Sequence, residues 1–141
     1  MIAAFRRLAF PLALVLPIVA ALPAAADTIY ECRIDQLSKN NGWLPDVVSV
    51  VMEDGAAEAM VNDPMIDFFI GKPLRAKIDT DNAKRITISW NYQTSKPYRV
   101  VKQFNRLTIM KADLSASMTG TLGRYVDHYD ARGKCQKAKK K

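Results

Sequence analysis

Hydrophobic and polar residues alternate over much of the chain after Asp27, and this period-two pattern is typical of β-strands that bury one face. In KRITISWNY, the residues Ile86, Ile88 and Trp90 share one face, and the residues between them are polar. The segment DLSASMTGTL repeats the pattern. The alternation therefore predicts a mainly β domain whose antiparallel strands are buried on one side and exposed on the other.

Short turns join these strands in sequence. Asp54-Gly55 is a dipeptide that favours a two-residue type I′ turn, and further turns are predicted at 81–83 and in LTIMKADLSASM. Folding at these turns brings apolar residues together on one face, and a shift of one residue would separate them. The predicted cross-strand partners are Val50 with Ala59, Ile78 with Ile86, and Ile109 with Leu114.

The predicted strand at 98–110 has a less regular pattern. Val100 and Phe104 follow one phase of the alternation, whereas Leu107 follows the other. One extra residue in a strand produces such a change of phase. We therefore expect a β-bulge near Asn105.

The segment NDPMIDFFIGKP breaks the alternation and predicts a two-turn helix at 63–71. Asp63 or Asn62 can cap its first turn. Pro64 suits the first helical position, and Gly71 suits the residue after the last. The helix is apolar on nearly all sides, so we predict that it lies over the open end of a curved sheet as a plug or a lid. The candidate plug or lid residues are Met65, Phe68 and Phe69.

The number and order of these elements define a fold class. Seven or eight antiparallel strands in consecutive hairpins, with one short helix, predict a small up-and-down barrel or half-barrel at 27–136. Closure of the sheet would remove exposed strand edges, which promote aggregation. A two-sheet β-sandwich is the alternative. The length of this segment suits a single domain with one core.

The segment 1–26 predicts a cleaved secretory signal peptide. Arg6 and Arg7 precede an apolar run, and Ala24 and Ala26 are the small residues expected before the cleavage site. A membrane-spanning helix needs about 20 continuous apolar residues, and two prolines interrupt this shorter run. We therefore expect a periplasmic or secreted bacterial protein with no stable membrane insertion.

Two cysteines, Cys32 and Cys135, lie near the two ends of the predicted domain. In an oxidising compartment an even pair predicts a disulfide, here one that ties the first strand to the last segment. Closing a loop of about 100 residues contributes roughly 4–5 kcal/mol in the chain-entropy estimate. Two separate buried thiols are the alternative. We expect either Ile29 or Tyr30 to enter the core beside Cys32.

The formal net charge is +7, but much of it lies outside the predicted domain. Without Arg6 and Arg7 the chain has 19 basic and 14 acidic residues, and the segment 137–141 carries four of the five excess positive charges. The body of the domain is therefore nearly neutral, which argues against nucleic-acid binding. We expect 137–141 to be a disordered basic tail that either contacts the anionic cell envelope weakly or only aids solubility.

A single histidine limits the catalytic chemistry of the chain. Asp127, His128 and Asp130 could form the acid–base or metal cluster of a hydrolase. Neighbouring residues of an extended segment point to opposite sides, so an exposed polar loop is the favoured interpretation of the three. The GxSxG nucleophile motif and glycine-rich phosphate loops are absent from the sequence. We expect a protein that is not an enzyme and that uses no cofactor or metal.

Several segments resemble a family of short, secreted proteins of Gram-negative bacteria. These segments are DTIYEC, GWLPDVVSVVMEDG, VNDPMIDFF, AKIDTDNAKRITISW and LTIMKADLSASM. The resemblance implies a fold and a compartment and brings no functional residues. In architecture the chain also resembles the periplasmic inhibitors of C-type lysozyme, with Tyr30 and Cys32 near the mature start and a cysteine near the end. The Ser-Gly-Ser loop of those inhibitors has no counterpart in this chain.

Three classes of function are compatible with these features. The first is a non-enzymatic module that holds a small apolar ligand inside the barrel, beneath the helix at 63–71. The second is a protein-interaction module, such as an inhibitor-like factor of the cell envelope. The third, which we favour least, is a hydrolase or a metal site. We expect a monomer that binds an unknown protein or a small apolar ligand, and the volume left inside the barrel discriminates the first two classes.

Overall fold

A computed structural model describes residues 27–35, 42–97, 99–123 and 127–140. The chain forms a closed barrel of eight antiparallel strands in which each strand pairs with its neighbours in sequence and the last pairs with the first. The strands are β1 (Asp27–Ile34), β2 (Val47–Glu53), β3 (Glu58–Asn62), β4 (Leu74–Asp81), β5 (Arg85–Gln93), β6 (Lys102–Met110), β7 (Ser115–Leu122) and β8 (His128–Lys139). One helix, α1 (Pro64–Phe69), connects β3 to β4. The predicted up-and-down barrel is confirmed, and the predicted signal peptide at 1–26 lies outside the described residues.

The barrel closes where β1 and β8 pair, and a disulfide fixes this seam. Cys32 and Cys135 are direct partners in the register of the two strands, and their sulfur atoms are bonded across a sequence separation of 103. The predicted disulfide is therefore confirmed. The strands approach so closely here that a Cβ atom at Gly133 would overlap the carbonyl oxygen of Arg33. The seam thus requires a residue without a side chain at this position.

Residues 137–140 belong to the barrel instead of forming a disordered tail. β8 continues to its end with Lys137 and Lys139 paired to the beginning of β1. The amide of Lys140 then donates a hydrogen bond to the carbonyl oxygen of Asp27 over 3.0 Å. The prediction of a tail at 137–141 is wrong for these residues. Main-chain hydrogen bonds to β1, aligned by the disulfide, outweigh the low strand preference of lysine.

Each predicted hairpin forms, but its register is displaced by two residues. The observed partners are Val50 with Val61, Ile78 with Ile88, and Ile109 with Ala116. The predicted partners are wrong because the first and third connections, 54–57 and 111–114, are longer than the tight turns expected for them. In the second hairpin Thr80 pairs with Thr87, three residues from the predicted register, and a β-bulge between Ile78 and Thr80 reduces the displacement to two. A displacement of two residues preserves the side-chain phase, so the predicted inward faces are retained.

The turn at Asp54-Gly55 differs in type from the prediction. The amide of Ala56 donates to the carbonyl oxygen of Glu53 over 3.2 Å, and Gly55 has the expected positive φ, 76°. Asp54 is not among the described residues with positive φ, whereas a type I′ turn requires positive φ at both central positions. A positive φ at the second central position alone matches a type II turn.

One face of every strand fills the interior of the barrel. Tyr30, and not Ile29, enters the core beside Cys32. The largest fully buried apolar side chains are those of Ile66, Ile88, Leu107, Ile109, Met118, Val48, Val50 and Val61. Burial of an aliphatic side chain of this size contributes about 1.5–3 kcal/mol relative to its exposure to water.

β6 departs from the sequence prediction in a way that bears on function. Its register with β5 and with β7 is continuous, so the predicted β-bulge near Asn105 does not form. Gln103 and Asn105 instead point into the barrel with Leu107, and Phe104 is 43% exposed on the outer wall. The side chains of β6 therefore alternate without interruption, but two amide side chains lie on its inner face and an aromatic side chain lies on its outer face. Amide groups inside the barrel can be tolerated when they are hydrogen-bonded.

The two ends of the barrel differ in the length of their connections. The turn end carries the first residues of β1, the last residues of β8, and the connections 54–57, 82–84 and 111–114. The loop end carries the longer connections 35–46, 63–73, 94–101 and 123–127. Binding residues are concentrated on loops that a rigid scaffold holds in place. The loop end is therefore the favoured place for a binding site.

Candidate binding site at the loop end of the barrel

Polar contacts hold α1 over the loop end. The side chain of Asp63 accepts hydrogen bonds from the amides of Met65, at 2.7 Å, and Ile66, at 2.8 Å. Asp63 is thus the helix cap, and it is one of the two residues that the sequence predicts for this role. Asn62 donates to the carboxylate of Asp67 over 3.0 Å and ties the helix to the end of β3.

The helix also ends as the sequence predicts. Gly71 has φ of 79°, and its amide donates to the carbonyl oxygen of Ile66 over 3.0 Å. α1 has only six residues, and in the described part of the chain no helix is long and apolar enough to cross a membrane. So short a helix depends on its caps and its packing more than on intrinsic helix propensity.

The side chains of α1 divide between the barrel and solvent. Ile66 is completely buried and plugs the core, whereas Met65 and Phe69 are half-buried. The Phe69 ring lies nearly parallel to the ring of Tyr92, with 6.2 Å between centroids. Phe68 is 61% exposed, and its ring meets that of Phe69 edge-on at 4.9 Å. Phe68 and Phe69 lie on different sides of α1, because a helix spreads consecutive side chains around its circumference.

Beneath α1 the barrel interior contains a hydrogen-bonded polar network. The hydroxyl of Tyr92 donates to the side-chain oxygen of Gln103 over 3.1 Å. The side-chain amide of Gln103 donates to the side-chain oxygen of Asn105 over 3.1 Å and to the carbonyl oxygen of Trp43 over 2.8 Å. The last of these bonds attaches the connection before β2 to the interior of the barrel.

Three fully buried residues of this region each carry a polar atom without a hydrogen-bond partner among the described residues. The atoms are Oδ2 of Asp63, Nε1 of Trp90 and Nδ2 of Asn105. Trp90 and Asn105 are direct partners in the register of β5 and β6, and both side chains are buried in the barrel. A buried polar group without a partner costs about 1–3 kcal/mol. The concentration of such groups distinguishes the loop end from the apolar remainder of the core.

Burial changes the acidity of two groups in this region. It raises the pKa of Asp63 to about 6, against the opposing effect of the amides that donate to its carboxylate, and the nearby Asp67 raises it further. Burial also raises the pKa of Tyr92, with a second contribution from the Asp63 carboxylate and an opposing one from the Asn105 side chain. Asp63 therefore changes its protonation in mildly acidic solution, whereas Tyr92 stays neutral.

The connection before β2 forms a second cover over the polar network. Leu44 is buried, and its Cδ2 atom would lie only 2.8 Å from a Cβ atom at Gly120. The same Cβ atom would lie 3.3 Å from the side-chain oxygen of Asn105. Gly120 therefore leaves the space beside Asn105 that the Leu44 side chain fills.

Thr94 closes the third long connection at the loop end. Its backbone amide donates to the carbonyl oxygen of Val101, and the amide of Val101 donates back to the Thr94 hydroxyl, each over 2.9 Å. Between them Val100 is 51% exposed. This connection thus presents a second apolar side chain at the same end of the barrel as Phe68.

The polar residues that the sequence singles out lie on the outer wall, near the beginning of β8. Asp127, His128 and Asp130 are all exposed. Nδ1 of His128 lies 3.4 Å from the hydroxyl of Thr121 on β7. Within the described ranges no group of three His, Cys, Asp or Glu side chains is arranged to hold a metal ion.

The polar network is not evident from the sequence, because Phe104 and Leu107 fall in opposite phases and this difference predicts a β-bulge. The phases differ because Phe104 points outward and Leu107 points inward. The inward phase of Leu107, continued in steps of two toward the N-terminus, reaches Asn105 and Gln103. A strict period of two along β6 could therefore have identified both amides as interior residues.

Comparisons of the chain with protein-family models, with curated proteins and with solved structures give no match. The class of protein is thus defined by the fold and the site alone. The fold is a disulfide-closed, eight-stranded β-barrel, and its loop end is covered by a capped helix that displays an aromatic side chain.

Proposed function

We propose that the protein is a non-enzymatic binding module that contacts a partner protein with its loop end. The exposed ring of Phe68 carries the proposal, because the cap at Asp63 and the turn at Gly71 hold its helix at both ends. Aromatic side chains commonly dominate the binding energy of protein interfaces. A side chain on an already ordered element binds at a smaller entropic cost than one on a flexible segment.

The packing of the loop end favours a surface contact over a ligand inside the barrel. Ile66, Leu44 and Trp90 are at most 4% exposed and belong to the packed core of the barrel. Pockets for small molecules usually enclose about 300–1,000 Å³. Such a volume beneath α1 would require Ile66 or Leu44 to leave the core. The apolar ligand is therefore the second candidate.

We also propose that the protein has no catalytic function. Asp127, His128 and Asp130 lie on an exposed wall, where water competes for every hydrogen bond that a reaction would need. Two titratable groups at the loop end have strongly raised pKa values, and Asp63 is engaged as a helix cap while Tyr92 donates a hydrogen bond within the interior network. Structural roles therefore account for their positions.

We further propose that the protein acts in the periplasm or outside the cell. The disulfide between Cys32 and Cys135 supports this location, because such bonds persist in oxidising compartments. The pattern of basic, apolar and small residues at 1–26 is typical of a secretory signal peptide and also supports export. Fractionation of the producing cells, with the protein detected by antibody, tests the location.

Site-specific photo-cross-linking in the producing cell tests the interaction. A photoreactive phenylalanine analogue replaces Phe68 in one variant and Met110, which is 39% exposed at the turn end, in a matched control. We expect a discrete protein adduct from position 68 and none of the same mass from position 110. Adducts from position 110 alone, or the same adducts from both positions, would reject the loop end as the interface.

A target enzyme of the envelope, inhibited by the barrel, is a more specific version of this proposal. The disulfide that begins at Cys32, with Tyr30 two residues before it, matches the resemblance to inhibitors of C-type lysozyme. The measurement is the rate at which a C-type lysozyme clears a suspension of bacterial cell walls. We expect the protein to slow clearing and Phe68→Ala to restore it. Clearing at an unchanged rate would remove lysozyme as the target.

A further inference from the structure

The hairpin of β5 and β6 carries a large excess of positive charge. Between positions 82 and 112 the sequence contains seven basic residues and no acidic one. Carboxylates of β4 lie close to two of the seven. The guanidinium of Arg106 lies 3.6 Å from the carboxylate of Asp79, and the ammonium of Lys111 is also paired. Of the remaining five basic residues, three lie at the loop end of the barrel.

The three basic residues at the loop end of this hairpin are exposed. Lys96 and Arg99 belong to the connection between β5 and β6. Lys102 begins β6, and its ammonium lies 5.1 Å from the centroid of the Phe104 ring. Ion pairs between described side chains involve neither Lys96 nor Lys102. This end of the hairpin therefore presents positive charge to solvent.

The helix α1 lies beside this connection and its flanking residues add to the charge. Phe69 stacks on Tyr92 and so holds α1 against the last residues of β5, just before the connection begins. Lys72 follows the helix and is exposed. The two carboxylates of this segment offset little of the charge at the surface. Asp63 is buried as the helix cap, and the exposed Asp67 already accepts a hydrogen bond over 3.0 Å.

The other two long connections at the loop end have no such excess of positive charge. The segment 35–46 contains two acidic residues and one basic residue, and 123–127 contains one of each. The basic side of the loop end also carries exposed apolar side chains. Phe68 is 61% exposed on α1, and Val100 is 51% exposed next to Arg99. An apolar centre with a charged rim is the usual anatomy of a protein interface.

We propose that the partner protein presents an acidic surface to this side of the loop end, with an apolar pocket that receives Phe68. This inference rests on the proposed function and adds to it the charge of the partner's contact surface. Lys72, Lys96 and Arg99 face carboxylates of the partner at the rim of the interface. Charges at a rim mainly raise the rate of association and exclude partners of the wrong sign. The ring thus supplies binding energy, and the basic residues supply selectivity.

Photo-cross-linking from position 68 in the producing cell, combined with charge reversal, tests the proposal. Lys72→Glu/Lys96→Glu reverses two exposed charges on the segments beside Phe68. Lys84→Glu/Arg85→Glu is the matched control, because it makes the same change of net charge on exposed residues at the turn end. We expect the yield of the protein adduct to fall about tenfold in the first variant and to stay unchanged in the second.

The salt dependence of association provides a measurement on the unaltered barrel, so it does not depend on the folding of a variant. The partner recovered from the adduct is identified by mass, purified and mixed with the parent protein. Raising sodium chloride from about 50 mM to about 300 mM should slow association about tenfold, because salt screens charges at an exposed rim. A rate that does not change with salt would overturn the proposal.

The outcomes separate this inference from the proposed function. Failure of position 68 to give any protein adduct would reject the proposed function itself. An adduct of full yield in Lys72→Glu/Lys96→Glu, or an equal loss in the control, would overturn only the acidic character of the partner. Flotation with vesicles of equal parts phosphatidylglycerol and phosphatidylcholine tests a lipid surface instead. We expect no flotation, and flotation that Lys72→Glu/Lys96→Glu abolishes would assign the surface to anionic lipid and overturn the proposal.

Discussion

Replacing Asp63 by asparagine is expected to stabilise the protein at neutral pH and to leave its stability unchanged in acid. Asp63 is 3% exposed, and burial raises its pKa from 3.8 to about 6. A shift of this size corresponds to about 3 kcal/mol of unfolding free energy. Asparagine keeps an oxygen that can accept from the amides of Met65 and Ile66, and it cannot ionise. Asp63→Asn therefore removes the cost of burying the charge without removing the cap.

The pH dependence of this effect has a definite sign. Below about pH 4 the carboxyl group of Asp63 is protonated in both folded and unfolded states, so the two proteins should have similar unfolding free energies. Between about pH 4 and pH 6 the unfolded chain releases the proton before the folded protein does, and the parent loses stability relative to Asp63→Asn. At higher pH the difference should stay constant at up to about 3 kcal/mol.

Urea denaturation at a series of pH values, followed by tryptophan fluorescence, measures the difference. Asp79→Asn is the control, because a side-chain hydrogen bond from Ser89 lowers the pKa of Asp79. Its replacement should therefore lower stability at neutral pH, the opposite direction. The reasoning would be refuted if the difference in unfolding free energy between the parent and Asp63→Asn did not change with pH. It would also be refuted if Asp63→Asn were less stable than the parent at neutral pH.

Three further variants test the barrel itself by denaturant unfolding. Gly133→Ala should cost about 1–3 kcal/mol or more, because its Cβ atom would overlap the carbonyl oxygen of Arg33; an unchanged midpoint would contradict the close seam. Replacing Cys32 and Cys135 together by alanine should cost about 4–5 kcal/mol, and a loss below about 1 kcal/mol would show that pairing of β1 and β8 does not need the bond. Ile66→Ala should cost about 2–5 kcal/mol, and a negligible loss would show that α1 does not plug the core.

The architecture of the barrel was accessible from the sequence because its determinants are local. Period-two alternation sets which residues face inward, and Asp63 and Gly71 mark the two ends of α1. Register was less accessible, since it depends on connection length. A loop of four residues and a tight turn of two place the same apolar face inward, so hydrophobic pattern alone cannot distinguish them.

The site was less accessible than the fold because it depends on residues that contradict the ordinary rule for burial. Gln103 and Asn105 point inward and Phe104 outward, and only the continuous pairing of β6 with both neighbours reveals this. The exposure of Phe68 likewise depends on which side of α1 meets the barrel. Tertiary contacts such as the stacking of Phe69 on Tyr92 set that orientation, and sequence spacing does not encode it.

The central claim is that Phe68 anchors a partner protein at the loop end. Native mass spectrometry of the protein purified from the compartment in which it accumulates tests it most directly, with Phe68→Ala and Phe104→Ala prepared in parallel. We expect the parent and Phe104→Ala to retain a protein of defined mass. Phe68→Ala should lose it while keeping the midpoint of the parent in urea, because the ring is 61% exposed. A Phe68→Ala protein that retains the same partner would contradict the account.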